Sequence, residues 1–522
     1  MADNPNEAWQ RAGGEDYDAL PYPSMPFSYT QPARLAALTE LFGFKAPDAL
    51  EARVLELGCA SGGNIIPLAA RYPRARFVGV DLSQRHVDDG RKRIRALAIT
   101  NVKLQQADIT KHDFECEQFD YVICHGVFSW VPRQVQDAIF RICNEALTPN
   151  GVAAISYNVL PGWHLRTVVR DICMHHVGRN GSPRTRVTKA RNALELIAGT
   201  LKETNAYGLL IRDEARRLAA RPAAYIMGEF LATDNSPCYF SEFVERAKNF
   251  NLTYLCEGDL NASIPQIEDP DIRRRNRLLA AGDHLALEQC IDFFTGRTFR
   301  RAILIRSEQA QHIKRNKNSS RLRSLHFSSS TGASLELSGR RSPVRSDQTR
   351  PLTSRQALVA ASLQRLLDAY PGTLSYVDFI SSVASKVPQA SVESISRILL
   401  ALVLAGRATA SSIPLSVGRA SATTVQVWPV ARLEAAAKQP WVTNLDHSPV
   451  PLQHLPVALI AYLDGSRDRG ALRPFIIQAL RDGSIEAGGD VSRWEPAQLE
   501  AAALHYLRRA LDQLESHALL QA

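Results

Sequence analysis

A glycine-rich turn and two acidic residues form the part of the chain best suited to bind a ligand. The turn lies in VLELGCASGGN, residues 54–64, where Gly58, Gly62 and Gly63 follow an apolar run. Glycine lets a backbone turn sharply and approach a ligand closely. Asp81 and Asp108 end the next two apolar runs, where carboxylates can accept hydrogen bonds from ribose hydroxyls and an adenine amino group. The spacing therefore predicts a nucleoside site, although a glycine turn alone also occurs as a simple connection.

A dinucleotide is the nearest alternative ligand for this turn. Gly58, Ala60 and Gly63 fit a relaxed form of the G-x-G-x-x-G fingerprint, whose middle glycine admits a pyrophosphate close to the backbone. Ala60 occupies that middle position, and the acidic Glu56 would be poorly placed beside a pyrophosphate. S-adenosylmethionine carries no phosphate, so these residues favour it as the cofactor.

The segments around the turn alternate between strand and helix patterns. Five apolar runs are predicted strands, namely RVLELG, ARFVGVD, VKLQQAD, FDYVICH and GVAAISYN. Helical patterns between them indicate βαβ units and a parallel, doubly wound sheet. Residues 165–231 are helical in pattern, and two more predicted strands, LTYLCE and FRRAILIR, follow. The sequence thus predicts an α/β fold with a seven-stranded sheet and a helical insertion before its last two strands.

A basic, serine-rich segment, residues 307–355, follows the last of these strands. Such a composition predicts a solvated tether, with a basic arm for RNA or a membrane surface as the alternative. Three helical patterns and the strand TTVQVWP come next and predict a winged-helix-like domain. Its third helix is mainly apolar, which favours protein docking over the reading of a DNA groove.

Length and composition exclude several classes of protein. A chain of 522 residues, with 45% apolar and 22% charged residues, is typical of a globular protein with about two to four domains. No apolar run reaches the roughly 18 residues that a membrane span needs, and the N-terminal segment does not resemble a secretory signal. The eight cysteines contain no CxxC pair, so we expect reduced thiols, a cytoplasmic location and no metal site.

Several motifs resemble those of a known family. ELGCASGGN, VGVDLS, QQADI and FDYVICHGVFSWVP resemble successive motifs of the Rossmann-like S-adenosylmethionine-dependent methyltransferases. YDALPYPSMPFSYTQPARLAAL, SYNVLPGWH, NSPCYFSEFVERA, DFFTGRTFRRAIL and VTNLDHSPVPL are similar to segments of bacterial methyltransferases that carry a methyltransferase regulatory domain, including the rickettsial protein lysine methyltransferases. The resemblance implies a protein substrate and a homodimer formed through the helical insertion. Ala60 departs from the glycine that many methyltransferases have there.

The resemblance also implies roles for individual residues. Gly58 and its neighbours would line the methionine moiety, Asp81 would hold the ribose, and Asp108 with Ile109 would frame the adenine. The full set expected to bind the cofactor is Glu56, Gly58, Cys59, Ala60, Gly62, Asn64, Asp81, Leu82, Asp108, Ile109, His125, Val127 and Trp130. Phe128 and Trp130 are equally compatible with a purely structural place in the core.

The methyl acceptor is expected among aromatic and polar residues. The candidates for acceptor binding and catalysis are Tyr22, Tyr29, Tyr157, Asn158, Trp163 and His164. An amine acceptor must lose its proton before it attacks the methyl group, and an apolar pocket lowers its pKa by desolvation. A tyrosine or histidine could accept that proton. Each candidate also has a structural interpretation, because SYNVLPGWH fits a strand exit followed by a turn.

These patterns divide the chain and leave several functions open. The predicted divisions are a cap (1–49), a cofactor-binding core (50–164), a regulatory region (165–306, with the insertion at 165–235), a basic linker (307–350), a winged-helix-like domain (351–430) and a helical domain (431–522). Protein N-methylation on lysine is the favoured function. A small molecule or cell-envelope glycolipid precursor is the alternative acceptor, and a non-catalytic regulatory protein is a further alternative. Nucleic acid is disfavoured, because no D/N-P-P-Y/F motif follows the fourth strand.

Overall fold

A seven-stranded mixed sheet forms the centre of the N-terminal half in the computed structural model. The structure describes residues 19–20, 22–111, 114, 118–178, 181–202, 204–263, 274–275, 278–316, 318–329, 354–487 and 489–522. The strands are β1 Arg53–Leu57, β2 Arg76–Asp81, β3 Val102–Gln106, β4 Phe119–Cys124, β5 Leu147–Asn158, β6 Leu252–Glu257 and β7 Phe299–Arg306. Their order is β3-β2-β1-β4-β5-β7-β6, with β7 antiparallel to both β5 and β6. The predicted seven-stranded sheet is confirmed.

Helices cover both faces of the sheet, which explains the nearly continuous apolar runs of its central strands. All six residues of β4 are buried, for example. Helices of the first half are α1 Pro32–Leu41, α2 Ile65–Arg71, α3 Gln84–Leu97 and α4 Arg133–Ala146. The first three share one apolar core with the sheet, and α4 packs on the opposite face. Single 3-10 turns lie at Ser28–Thr30 and Phe128–Trp130.

The predicted helical insertion is present between β5 and β6. Its helices are α5 Gly162–Val177, α6 Pro183–Thr200, α7 Ala206–Ala219 and α8 Ala223–Phe230. They pack around their own apolar core, which contains Val169, Leu194, Ile211 and Phe230. Helices α9 Phe240–Asn249, α10 Leu260–Ser263 and α11 His284–Thr295 return the chain to the sheet.

A buried ionic cluster fixes the last strand of the sheet. The guanidinium of Arg300 on β7 is fully buried and contacts three carboxylates, those of Glu257, Glu288 and Asp292. The shortest contact joins Arg300 Nε to Asp292 Oδ2 at 2.8 Å. Charges buried this deeply are tolerated because each is paired and hydrogen-bonded.

The start of the segment predicted as a tether is folded. Residues 307–329 form two 3-10 turns, Ser307–His312 and Ser319–Leu322, and the short strand β8, His326–Ser328. Leu322, Leu325 and Phe327 are buried in the same core as α1 to α3. The expectation of a linker from residue 307 is therefore wrong, because a few apolar side chains among the serines and arginines are enough to anchor the segment. Residues 330–350 of the predicted linker lie outside the described residues, as do 351–353 of the next predicted domain and 1–18 and 21 of the predicted cap.

The next three helices pack with this segment. Helices α12 Ser354–Ala369, α13 Tyr376–Lys386 and α14 Val392–Leu404 surround a small sheet of order β10-β8-β9, with β9 at Leu374–Ser375 and β10 at Thr409–Ser411. The strand in TTVQVWP was predicted to belong to this domain, and that prediction is wrong. It forms β11, Thr424–Gln426, and pairs with β14, Asp464–Asp468, in the last domain. A local pattern identifies a strand but not its partner.

The last domain combines short strands with four helices. Strands β12 Trp441–Thr443 and β13 Pro449–Pro451 form a hairpin. The helices are α15 Pro429–Ala436, α16 Val457–Ile460, α17 Arg469–Arg481 and α18 Pro496–Ser516, with 3-10 turns at Leu452–His454 and Val491–Arg493. Among the described residues, none of the helices combines the length and apolar character needed to cross a bilayer.

Candidate active site

The glycine-rich turn, residues 58–64, connects β1 to α2, and we call it the donor turn after the methyl donor that it is predicted to bind. Its backbone is left-handed at three positions. Gly58, Ala60 and Gly62 have φ angles of +73°, +47° and +75°. The N–H groups of Gly58 and Cys59 donate to the Val80 carbonyl at 2.8 and 3.1 Å, which ties the turn to β2. A Cβ atom on Gly58 would lie 2.3 Å from Cγ2 of Val127. Glycine is therefore required at the start of the turn, as the sequence predicted.

Asp81 is the last residue of β2 and holds the donor turn in place. Its Oδ2 accepts from the Ala60 N–H at 2.8 Å, and its Oδ1 accepts from the Ser83 N–H at 2.9 Å. The first bond stabilises Ala60 in a conformation that L-residues rarely adopt. The next residue, Leu82, is 36% exposed. Asp81 and Leu82 thus lie together at the carboxyl edge of the sheet, where open α/β sheets bind ligands.

Asp108 lies at the same edge, two residues beyond the end of β3. Its Oδ1 accepts from the backbone N–H and the hydroxyl of Thr110, at 2.9 and 2.7 Å. The Lys111 ammonium is 3.7 Å from Oδ2. The neighbouring Ile109 packs partly buried against the core. Since β2 and β3 are adjacent, the structure brings Asp81 and Asp108 to neighbouring strand ends.

Glu56 is a buried carboxylate beneath the donor turn. Its Oε1 accepts from Asn64 Nδ2 at 2.8 Å, and its Oε2 is buried with no hydrogen-bond partner among the described residues. Burial raises the pKa of Glu56 to about 8, and the nearby charge of Asp81 contributes to the rise. A buried oxygen without a partner is costly. The site therefore fits a ligand that brings a positive charge or a hydrogen-bond donor to Glu56. Behind the turn, the Cys59 thiol packs against Gly79 of β2.

The N-terminal cap segment, residues 22–30, covers the donor turn. The Gly63 N–H donates to the Ser24 hydroxyl at 2.7 Å. The Phe27 N–H donates to Asn64 Oδ1 at 3.0 Å, and the Thr30 hydroxyl donates to the same oxygen at 3.0 Å. The sequence predicted a cap but not Ser24 or Phe27. Their motif, PSMPFSYT, was the only signal for them.

His125 follows β4 and lies among aromatic rings. Its ring centroid is 3.6 Å from that of Phe27 and 5.8 Å from that of Phe299. Burial, followed by the charge of Arg301, lowers the pKa of His125 to about 3, so the ring is neutral. Tyr29 Oη lies 2.7 Å from its Nδ1. Burial also raises the pKa of Tyr29, so the hydroxyl keeps its proton and forms a neutral hydrogen bond with Nδ1, as donor or acceptor according to the tautomer of the ring.

The predicted acceptor residues separate into two groups. Tyr157 stacks on Phe243 at a centroid distance of 3.9 Å and is 1% exposed. Its side chain belongs to the core, as does that of Phe128, and not to a pocket. Neighbouring residues of a strand point to opposite faces, and Ser156, which accepts from the Gly126 N–H at 2.8 Å, takes the face towards the site.

Three more of the predicted acceptor residues lie on or near the start of α5. The Asn158 N–H donates to the Ser129 hydroxyl at 2.8 Å. Trp163 is buried and packs edge-on against Trp130 at 5.8 Å between centroids. His164 is exposed, with Nε2 3.4 Å from the Tyr239 hydroxyl.

A cluster of four aromatic residues and one acidic residue continues from Trp163, and we call it the acceptor cluster because it contains two of the predicted acceptor residues. It comprises Tyr22, Trp130, Trp163, Tyr225 and Glu229. The rings of Tyr22 and Tyr225 are 6.5 Å apart. Arginine side chains already lie over two of the rings, Arg166 over Trp163 at 5.5 Å and Arg221 over Tyr225 at 5.1 Å. Burial raises the pKa of Glu229 to about 7 although both arginines lower it. Glu229 and Tyr225 were missed by the sequence analysis.

Comparison with known proteins identifies the family. Residues 54–151 match the family described as "Methyltransferase domain", 222–306 match "Predicted methyltransferase regulatory domain" and 426–519 match "PKMT, C-terminal winged helix domain". An uncharacterized protein from Rickettsia prowazekii is 31% identical over 495 residues, which cover 90% of this chain and 87% of the relative. The chain belongs to the S-adenosylmethionine-dependent methyltransferases that carry a regulatory domain.

Further relatives of the methyltransferase agree with this assignment. A second uncharacterized protein of Rickettsia prowazekii is 36% identical over 233 residues, covering 44% of this chain and 93% of the relative. The solved structure of PKMT2 from Rickettsia typhi in complex with AdoHcy matches with a TM-score of 0.81 and 25% identity, over 96% of this chain and all of that chain (100%). The match to the PKMT winged helix domain covers residues 426–519 of the methyltransferase, in the part of the chain that the sequence analysis predicted as a helical domain.

Proposed function

We propose that this methyltransferase transfers methyl groups from S-adenosylmethionine to lysine side chains of protein substrates. The acceptor cluster around Glu229 carries the proposal, because it combines aromatic rings with a carboxylate that can accept a proton. The likeness of the whole chain to PKMT2 bound to AdoHcy, and of residues 426–519 to the PKMT winged helix family, supports the same acceptor, since PKMT stands for protein lysine methyltransferase.

The donor site has residues that suit each part of the cofactor. Asp81 would hold the ribose, Asp108 the adenine, and Leu82 offers apolar surface beside them. Glu56 would hold the positively charged amino end of the methionine moiety, because its buried Oε2 has no other partner among the described residues. When bound, S-adenosylmethionine supplies a methyl group carried on a positively charged sulfur atom, and the sulfur becomes a neutral thioether once the methyl group is transferred.

The chain's own residues must align the reactants and exclude water. The cap segment covers the donor turn, with Ser24 bonded to Gly63. Because His125 is neutral, its ring itself adds no charge that would repel the cationic donor. Holding two reactants in position in this way can lower a barrier by about 7–11 kcal/mol.

Two members of the acceptor cluster are joined to this covered site through the chain. Trp130 follows β4 at the edge that also carries His125, and Tyr22 precedes Ser24 by two residues in the cap segment. Aromatic faces bind cations, and in the structure the rings of Trp163 and Tyr225 each pack against an arginine side chain. The ammonium group of an entering lysine would compete for this position.

Glu229 would remove the proton that the lysine carries. A free lysine has a pKa of about 10.4, which desolvation by aromatic surroundings lowers. With a pKa near 7, Glu229 is ionised in mildly alkaline solution and can accept the ammonium proton. The lysine nitrogen then has a free electron pair with which to form its bond to the methyl carbon.

An assay of methyl transfer into protein lysine tests both parts of this proposal, the S-adenosylmethionine donor and the lysine acceptor. The full-length protein, methyl-labelled S-adenosylmethionine and fractionated lysate are incubated, and the labelled products are hydrolysed for amino-acid analysis. We expect label in methylated lysine. Glu229→Gln should lower kcat by about 10²–10⁴-fold and leave AdoHcy affinity unchanged. In the wild type, activity should be lost as the pH falls through about 7, where Glu229 becomes protonated.

Glu195→Gln is the matched control, because Glu195 is an exposed carboxylate on α6 of the same insertion. It should leave kcat unchanged. Label confined to lipids or small molecules would show that the acceptor class is wrong. Lysine labelling by Glu229→Gln at the wild-type rate would show that Glu229 is not the base.

The seven cysteines that the structure describes are all unpaired. Free, mostly buried thiols are typical of proteins in a reducing compartment. We also propose that this methyltransferase acts in the cytoplasm, a location that these thiols support.

A further inference from the structure

The tip of the β12–β13 hairpin, residues 444–448, reaches from the last domain into the donor site. His447 has a left-handed backbone with φ of +56°, and its N–H donates to the Asn444 carbonyl at 2.9 Å. Asn444 Oδ1 accepts from the Ser448 N–H at 2.8 Å. The Leu445 N–H donates to the Ala518 carbonyl at 2.9 Å, just beyond α18. The tip is therefore a fixed loop that presents Asp446 and His447 outwards from its domain.

His447 is buried against Asn64 of the donor turn. Its Nε2 lies 2.8 Å from Asn64 Oδ1, the oxygen that also accepts from the Phe27 N–H. A backbone N–H can only donate, so this oxygen is an acceptor and His447 Nε2 must carry the ring proton. Burial lowers the pKa of His447 well below its usual value, which agrees with a neutral ring.

The bond from His447 continues to Glu56. Asn64 uses its oxygen for His447 and its Nδ2 for Glu56 Oε1, at 2.8 Å. With both ends of the amide engaged, Asn64 cannot rotate without breaking buried hydrogen bonds. The orientation of Glu56, and hence of its Oε2, follows from the position of His447.

Asp446 binds the residues that follow the cap segment. Both of its carboxylate oxygens accept from Arg34 Nη2 at 2.8 Å, and its carbonyl accepts from Gln31 Nε2 at 2.9 Å. A second contact between the domains joins Arg93 of α3 to the buried Glu434 of α15 at 2.9 Å. The last domain thus contacts the start of α1, directly after the cap segment, and helix α3, which follows β2.

We infer that Asp446 and His447 are positioning residues for the donor site, through which docking of the C-terminal domain increases the affinity for S-adenosylmethionine. His447 orients Asn64 and Glu56 below the cofactor, and Asp446 holds the start of α1 so that the cap segment stays closed above it. The inference rests on the donor half of the proposed function and is independent of the acceptor.

Titration calorimetry of the full-length protein with AdoHcy measures this coupling. His447→Leu removes the donor to Asn64, and we expect about tenfold weaker binding, the effect of one buried hydrogen bond. His447→Gln keeps an N–H donor at a similar reach and should restore most of the affinity. His454→Leu, at an exposed histidine of the same domain, is the matched control and should bind as the wild type does.

A double-mutant cycle separates positioning from general loss of stability. If His447 acts through Asn64 and Glu56, His447→Leu should weaken binding much less in a Glu56→Gln background than in the wild type. Asp446→Asn, at a partly exposed position, provides a second variant that leaves the core filled, and we expect a smaller loss in the same direction. Melting curves of each variant verify that it is folded.

Wild-type affinity in both His447→Leu and Asp446→Asn would overturn the inference. The inference would also be overturned if His447→Leu weakened AdoHcy binding equally in the wild-type and Glu56→Gln backgrounds and His447→Gln restored no affinity. That result would indicate only a structural role for His447. Since AdoHcy binding needs no acceptor, either result leaves lysine methylation untouched. Failure to label lysine would in turn leave the hairpin inference untouched.

Discussion

Replacing Glu56 by glutamine should stabilise the cofactor-free protein and weaken cofactor binding. The carboxyl group is buried beneath the donor turn, with one oxygen bonded to Asn64 and the other without a partner among the described residues. Glutamine has the same shape, can still accept from Asn64 and does not ionise. The variant therefore removes the titration and the charge, and it places an uncharged amide NH2 group where the second oxygen of Glu56 lies.

The magnitude follows from the pKa of Glu56, which burial raises from 4.5 to about 8. Because the folded state binds the proton more tightly than the unfolded state, the stability this group contributes is full below pH 4.5 and is lost as the pH rises through 8. At 1.36 kcal/mol per pKa unit, Glu56 costs roughly 3 kcal/mol at pH 7 and about 5 kcal/mol above pH 8. The free energy of unfolding of Glu56→Gln, relative to the wild type at the same pH, should therefore rise by these amounts as the pH increases from below 4.5.

Urea unfolding of the wild type and Glu56→Gln, without cofactor, at pH 5, 7 and 8 measures this difference. Calorimetry with AdoHcy at pH 7, in two buffers of different ionisation enthalpy, measures the proton that the wild type should release when Glu56 ionises. The variant should release none and bind about tenfold or more weakly, since it lacks a charge-assisted hydrogen bond. A variant less stable than the wild type at every pH, or equal proton release by both proteins, would refute this account of Glu56.

Two further substitutions test the cap and the sheet. Gly63→Ala should weaken AdoHcy binding, because its Cβ would lie 2.3 Å from the backbone of Ser24 and force the cap segment away, at about 1–3 kcal/mol; calorimetry measures the loss. Arg300→Ala should lower the free energy of unfolding by about 3–5 kcal/mol, because it leaves three buried carboxylates without their cation; urea unfolding measures it.

Each of these substitutions has a matched control. A Cβ on Gly199 of α6 meets nothing within 4 Å, so Gly199→Ala should leave AdoHcy binding unchanged. Arg141 forms an exposed pair with Glu145 at 2.7 Å on α4, so Arg141→Ala should cost less than about 1 kcal/mol. Equal effects of the test and control substitutions would contradict the roles assigned to Gly63 and Arg300.

Short-range patterns predicted the sheet and the donor turn. Strand and helix periodicity and the glycines of the turn are properties of a few consecutive residues, so β1 to β7, the helical insertion, Gly58 and Asp81 could be identified without a structure. The alternation of side chains along β5 was also available. It separates Ser156 from Tyr157 and argues against Tyr157 as an acceptor residue.

Contacts between distant residues were decided by the tertiary structure. Asn64 contacts Phe27, 37 residues away, and His447, 383 residues away, and no local pattern relates these positions. Glu229 acquires its high pKa only when α8 packs near the cap segment. The sequence determines where each strand and turn can form, because those preferences are local. Which buried groups meet depends on the packing of whole domains, because hydrogen bonds and burial act between neighbours in space.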